Sequence, residues 1–178
     1  MKPKAFLNES GLYDYAVKVL GRRMRTEAEL RRLMRTRVEP GQRGDDVIKV
    51  VIARLKEQRY LDDRSYAETY ARLRKENEKF GQRRVRQDLR QKGVAAGLVE
   101  KTLAESFAKS DEEKLAREHL DRKRIGKPTN EKEAARVMRR LVAAGFSTGV
   151  IYKILRQWDV PEETLSALDS LADEPQEE

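Results

Sequence analysis

The sequence contains no cysteine, one histidine, one tryptophan and few aromatic residues, 6% in all. Without cysteine neither a disulfide framework nor a thiolate zinc site can form, and a reducing cytoplasm is the expected location. The lone His119 sits in LAREHLDRKR with no ligand partner beside it, which makes it a surface or core-edge residue rather than a zinc ligand. No Gly-rich phosphate loop of the Walker type occurs, so intrinsic nucleotide hydrolysis is not expected. The adjacent Asp62 and Asp63 point apart on a helix, and one of them suits an N-cap better than a catalytic dyad. The opening stretch MKPKAFLNESGLYDYAV lacks the unbroken apolar run of a signal peptide, and no segment approaches the roughly 18 to 20 apolar residues of a membrane span. These absences leave a soluble binding protein with no catalytic residues, no metal and no cofactor.

What the chain does have is charge. Of 178 residues 39% are charged and 38% apolar, a balance that suits helices with narrow buried stripes better than a sheet core. The net charge of +8 is unevenly placed: residues 1–60 hold 15 basic against 8 acidic side chains, residues 61–110 hold 12 against 8, and residues 111–178 hold 12 against 15. A basic front two-thirds favours an anionic partner, either nucleic acid or an acidic protein surface.

Helix punctuation recurs along the chain. Thr26 with Glu29, Ser110 with Glu113 and Asn130 with Glu133 have the spacing of helix-starting caps. Gly93 and Gly145 suit the left-handed residue just past a helix end, and VEPGQRG and IGKPTN read as loops. Between these marks the pattern repeats at a period of about 50 residues. Ala16, Ala67 and Ala116 align in the first helix of each unit; Leu30, Val85 and Val137 align in the second, followed by Met34, Leu89 and Leu141, then Val38, Gly93 and Gly145. Third helices follow as DDVIKVVIARLKEQRY, AAGLVEKTLAESF and STGVIYKILRQW. The fold class expected is all-α, an elongated array of three tandem three-helix repeats over 11–61, 62–109 and 110–160, with an acidic C-terminal tail over 161–178. In that tail Leu165, Leu168 and Leu171 keep helical spacing.

The densest charge lies in KFGQRRVRQDLRQKG, residues 79–93. With Val85 at zero and about 100° per residue, Leu89 falls near 40°, while Arg86, Arg90 and Arg83 fall near 100°, 140° and 160°. The arginines therefore form one stripe beside a narrow buried seam. Arg31 and Arg35 occupy the matching flank of the first unit, whereas Met138 and Val142 replace them in the third and predict apolar contact there. Arginine's planar fork pairs with phosphate and carboxylate alike, so the pattern leaves three readings open: a solvated face, a nucleic-acid contact or a protein-docking surface. Tyr66, Tyr70 and Phe80 could stack on bases, but the spacing of the two tyrosines is that of a core face.

YLDDRSYAETYARLR followed by FGQRRVRQDLRQKGV resembles the RecX family of regulators of the RecA recombinase. The resemblance rests on Asp62, Asp63, Arg64, Tyr66, Ala67 and Arg72, then on Gly81, Arg84, Val85, Leu89, Lys92, Gly93 and Val94. Tyr15, Ala16, Leu20, the capped TEAELRRLM and VIKVVIARLKEQRYLDD extend it into the first unit, so that it covers about residues 12 to 108. It implies three tandem three-helix repeats and no enzymatic activity, and a monomer is expected. It further implies binding to the RecA filament on single-stranded DNA, with restraint of ATP hydrolysis, strand exchange and co-protease activity in recombinational repair and the SOS response. Direct contact with single- or double-stranded DNA occurs in some members. On this reading Arg31, Arg35, Arg83, Arg86, Arg90 and Lys92 meet the partner. Val38 departs from the pattern, standing where a glycine is usual. The rival reading is a general helical DNA-binding regulator that lays the 82–92 helix in a major groove.

Overall fold

The structure, a computed structural model, describes residues 6–166. Among the described residues every regular element is helical: α1 (Glu9–Arg22), α2 (Glu27–Arg35), α3 (Gln42–Glu57), α4 (Asp63–Glu78), α5 (Gln82–Gln91), α6 (Ala96–Phe107), α7 (Glu112–Arg122), α8 (Glu131–Ala143) and α9 (Thr148–Gln157). Residues 162–166 are also helical, with Leu165 buried; Leu168 and Leu171 lie outside the described residues. The helices fall into triplets, the all-α repeat architecture expected from the pattern.

Short polar side chains start these helices by satisfying the orphan amides of the first turn. The Thr26 hydroxyl accepts from Glu29 N–H and the Glu29 carboxylate reaches back to Thr26 N–H, a complete capping box. Asp62 accepts from the backbone of Arg64 at 2.9 Å and Ser65 at 3.3 Å, and Asn130 from Glu133 at 3.0 Å. Before α7 the expectation is off by one residue. The cap is Asp111, accepting from Lys114 N–H at 3.1 Å, while the Ser110 hydroxyl faces inward with no partner in the described structure. A carboxylate both caps and complements the helix dipole, which explains the preference. Helix α3 starts three residues before DDVIKVV because Gly41, at φ 107°, completes the turn and leaves Asp45 as a favourable first-turn acid.

The chain divides into two compact units, one comprising residues up to Tyr70 with Asp88–Thr102, the other Ala71–Gln87 with the residues from Leu103 onward. In the first unit α1 and α2 pack on α3, closing a core of Leu12, Ala16, Leu30, Met34, Ile48, Val51, Ile52 and Leu55. In the second α7 and α8 pack on α9 around Leu120, Val137, Leu141, Phe146, Ile151, Ile154 and Leu155. Burial at i, i+3 and i+4 gives each helix one apolar stripe and leaves the rest of its surface to charge.

Each unit also contains one joint between successive repeats. In the first, the Thr26 hydroxyl donates to Lys92 C=O at 2.6 Å, and a side chain at Gly93, φ 80°, would bring its Cβ within 2.4 Å of Ala28 Cβ. In the second, Gly81 N–H donates to Ala144 C=O at 2.9 Å and Arg83 N–H to Gly145 C=O at 3.3 Å; a Cβ at Gly145, φ 89°, would lie 2.2 Å from Arg84 N. The start of one repeat's second helix thus sits on the turn that ends the next repeat's second helix. The first repeat closes the same turn differently. Its matching carbonyl, Arg37 C=O, accepts from Leu7 N–H at 2.8 Å, and buried Val38 has room for the side chain its two counterparts lack.

Candidate partner-binding interface

Helix α2 presents Arg31 and Arg35 four residues apart, but each fork already has a carboxylate of its own. Arg31 Nε lies 2.7 Å from Glu27 Oε1, and Arg35 Nε, on a side chain 66% exposed, lies 3.6 Å from Asp45 Oδ1. Burial works against the Glu27 anion, yet its hydrogen bonds to Lys56 and Arg31 prevail and hold its pKa below the usual carboxylate value. Helix α5 is the most basic helix; Arg90 on its exposed side pairs with Glu100 at 2.8 Å. Arg83 is exposed and Arg86 half-buried, both in the second unit, whereas Arg90 and Lys92 belong to the first.

Lys92 plays a different part from the arginines. Its ammonium lies 3.2 Å from Glu29 Oε1 and over the rings of Tyr66 and Tyr70, 6.0 Å and 5.4 Å from their centroids. Burial would lower its pKa, but hydrogen bonds to Tyr66 and Glu29 outweigh that and raise it. With its backbone carbonyl held by Thr26, Lys92 fastens α2 to the end of α5. The tyrosines serve the same corner, stacked on each other at 5.9 Å and 14°, with the Tyr70 hydroxyl donating to Asp88 at 2.9 Å. They are packing residues, as their spacing predicts. Phe80 is half-buried in the second unit beside His119, 5.9 Å between ring centroids, with Arg74 and Arg84 over its ring.

His119 is buried, its Nδ1 3.0 Å from Glu78 C=O and its ring edge-on to Phe146 at 5.9 Å. Burial pushes its pKa down, so the neutral ring is the native form. No group of three or more His, Cys, Asp or Glu among the described residues is placed to hold a metal ion.

The third repeat differs from expectation. Met138 is buried as predicted, but Val142 is 48% exposed and contributes little to the core. The outer face of α8 instead carries Lys132, Arg136, Arg139 and Arg140, all exposed and, among the described residues, none in an ion pair. The charge count had hidden this face. Residues 110–160 hold 12 basic against 8 acidic side chains, and the acidity of the C-terminal third comes from residues 161–178, with seven acidic and no basic side chain. Counting the repeat apart from its tail would have exposed the signal.

Residues 62–103 match the family model described as RecX, second three-helix domain. A regulatory protein RecX of Cronobacter sakazakii is 34% identical over 158 residues, covering 84% of this chain and 93% of that protein. One from Salmonella newport is 34% identical over 156 residues, covering 83% and 91%. A longer one from Oceanobacillus iheyensis is 28% identical over 155 residues, 85% of this chain but 55% of the relative, so the chain spans about half that protein's length. Among solved structures, a crystal structure of regulatory protein RecX superposes with a TM-score of 0.61 at 25% identity, covering 84% of this chain and 71% of that one.

Proposed function

The chain belongs to the RecX family of regulatory proteins, and on that premise we propose that it binds the RecA recombinase filament on single-stranded DNA and restrains its ATP hydrolysis, strand exchange and co-protease activity. The observation that carries this reading is that the segment matching the family's second three-helix domain, 62–103, contains the whole of basic helix α5. The contact residues are Arg31 and Arg35 on α2 and Arg83, Arg86 and Arg90 on α5. A guanidinium held by an internal carboxylate keeps its remaining N–H donors in a fixed fork, which suits pairing with carboxylates or phosphates of a partner. Within the first unit, Lys92 supports Arg31, Arg35 and Arg90 by fixing α2 against the end of α5. The work is done by binding in the cytoplasm, with no catalysis by this chain and no cofactor.

Sedimentation with preassembled filaments tests the proposal. The protein should pellet with recombinase filaments on single-stranded DNA to a much greater extent than with an equal mass of naked duplex. Equal pelleting with both would instead favour the general DNA-binding regulator.

A further inference from the structure

We propose that the outer face of α8 is a second binding surface, one that takes the phosphate backbone of a nucleic acid through Lys132, Arg136, Arg139 and Arg140. The four side chains occupy positions i, i+4, i+7 and i+8, a face about 100° wide and about 12 Å long. Asn130, Lys132, Glu133, Arg136 and Arg139 line an open groove of about 320 Å³ along it. The acids at the start of α8 have other hydrogen-bond partners: Glu133, though also acted on by Arg136, accepts from the N–H and hydroxyl of Thr129 at 2.8 Å and 2.9 Å, and Glu131 from the Thr164 hydroxyl at 3.3 Å.

Charge pairing separates this face from α2 and α5. A phosphate approaching Arg31, Arg35 or Arg90 must compete with the carboxylate already there, at 2.7 Å, 3.6 Å and 2.8 Å respectively. On α8 none of the four cations is held in an ion pair among the described residues, Arg136 acting only through space on Glu133, so an incoming phosphate displaces counterions rather than a bonded carboxylate. An acidic protein is the less fitting occupant, since protein interfaces centre on buried aromatic or aliphatic anchors. This face has Ala143 within it and Glu133 at its edge, with exposed Val142 about 60° outside it and no aromatic residue. Because the proposed partners are backbone phosphates, binding should be indifferent to base sequence.

The test uses the full chain and no recombinase, so it stands apart from the filament reading. Fluorescence anisotropy would follow binding to a labelled oligothymidylate of about 30 nucleotides, longer than a single binding site, and to a duplex of the same length, between about 50 and 200 mM salt. Replacing Arg136, Arg139 and Arg140 together with Gln should weaken oligothymidylate binding by at least about tenfold at low salt and flatten the salt slope by about 2, near 0.7 for each phosphate left without its arginine. Replacing Lys49, Arg64 and Arg156, exposed cations each held in an ion pair elsewhere on the chain, with Gln should change affinity by less than about threefold. Circular dichroism and Trp158 emission should match the wild type in both variants. Weakening on the single strand alone or on both probes supports the proposal and identifies the form bound. Equal weakening in the two variants would reduce the face to general charge and overturn it. Unchanged oligonucleotide binding by the α8 variant, with loss of filament pelleting, would assign the face to an acidic protein surface and overturn it as well.

Discussion

The two units use similar side chains to different ends. In the first, basic residues on the second helices are tied to acids of the same chain, as in Arg31 with Glu27, Arg90 with Glu100 and Lys92 with Glu29. In the second, the exposed face of α8 carries four cations with no such partner among the described residues. Net charge over a stretch of sequence therefore does not locate an anion-binding face. It also matters which cations already have an acid of the same chain beside them.

The joints give the sharpest way to break the comparison. Gly145→Ala combines a left-handed backbone with a Cβ 2.2 Å from backbone nitrogen of Arg84, which cannot move without shifting α5. A loss of about 3 kcal/mol or more is expected. Gly93→Ala meets a methyl rather than backbone, at 2.4 Å from Ala28 Cβ, and should cost about 2 kcal/mol. Denaturant titrations check this, with Trp158 reporting the second unit and circular dichroism both. Equal losses would mean that the two joints are not distinguished by what they press against.

Next in size is filament binding. Neutralising Arg31, Arg35 and Arg90 together removes three surface pairings of about 0.5 kcal/mol each, so pelleting with the filament should weaken roughly tenfold. Helical content should be unchanged. Retained affinity would move the docking surface away from α2 and α5.

A pH titration addresses the second unit alone. The folded-state pKa of His119 is lowered, so the unfolded chain binds more protons as pH falls through the ordinary histidine range near 6.5. The stability this residue contributes is complete above that value and is lost as pH drops toward the folded pKa. Because His119 is the only histidine, His119→Gln should flatten the dependence of Trp158-detected unfolding between about pH 7 and 5. An unaltered profile would show that its burial is not coupled to stability.

The smallest effects concern helix ends. Arg59 and Arg124, one in each unit, hold positive φ of 58° and 54° past α3 and α7. Either residue changed to Gly should stabilise by about 0.5 to 1 kcal/mol, measured by thermal unfolding.

Local rules made much of this legible in the sequence. Thr26 with Glu29 and Asn130 with Glu133 marked true helix starts, and Gly93 and Gly145 true ends, because caps and left-handed turns are set within a few residues. The same rules missed by one residue at Asp111, where hydroxyl and carboxylate compete side by side. Lys92 looked like a surface cation because Glu29, 63 positions away, is brought to it only by folding. Val38 looked like a departure until the joints showed that glycine is needed only where a preceding repeat presses on the turn. The α8 face was missed because its helix was counted together with a tail whose acids cancel it.

The regulatory claim itself is tested most directly by the recombinase's own turnover. With RecA assembled on single-stranded DNA and ATP hydrolysis followed as this protein is added, the account predicts a progressive fall in rate. A constant rate at concentrations that visibly coat the filament would contradict it.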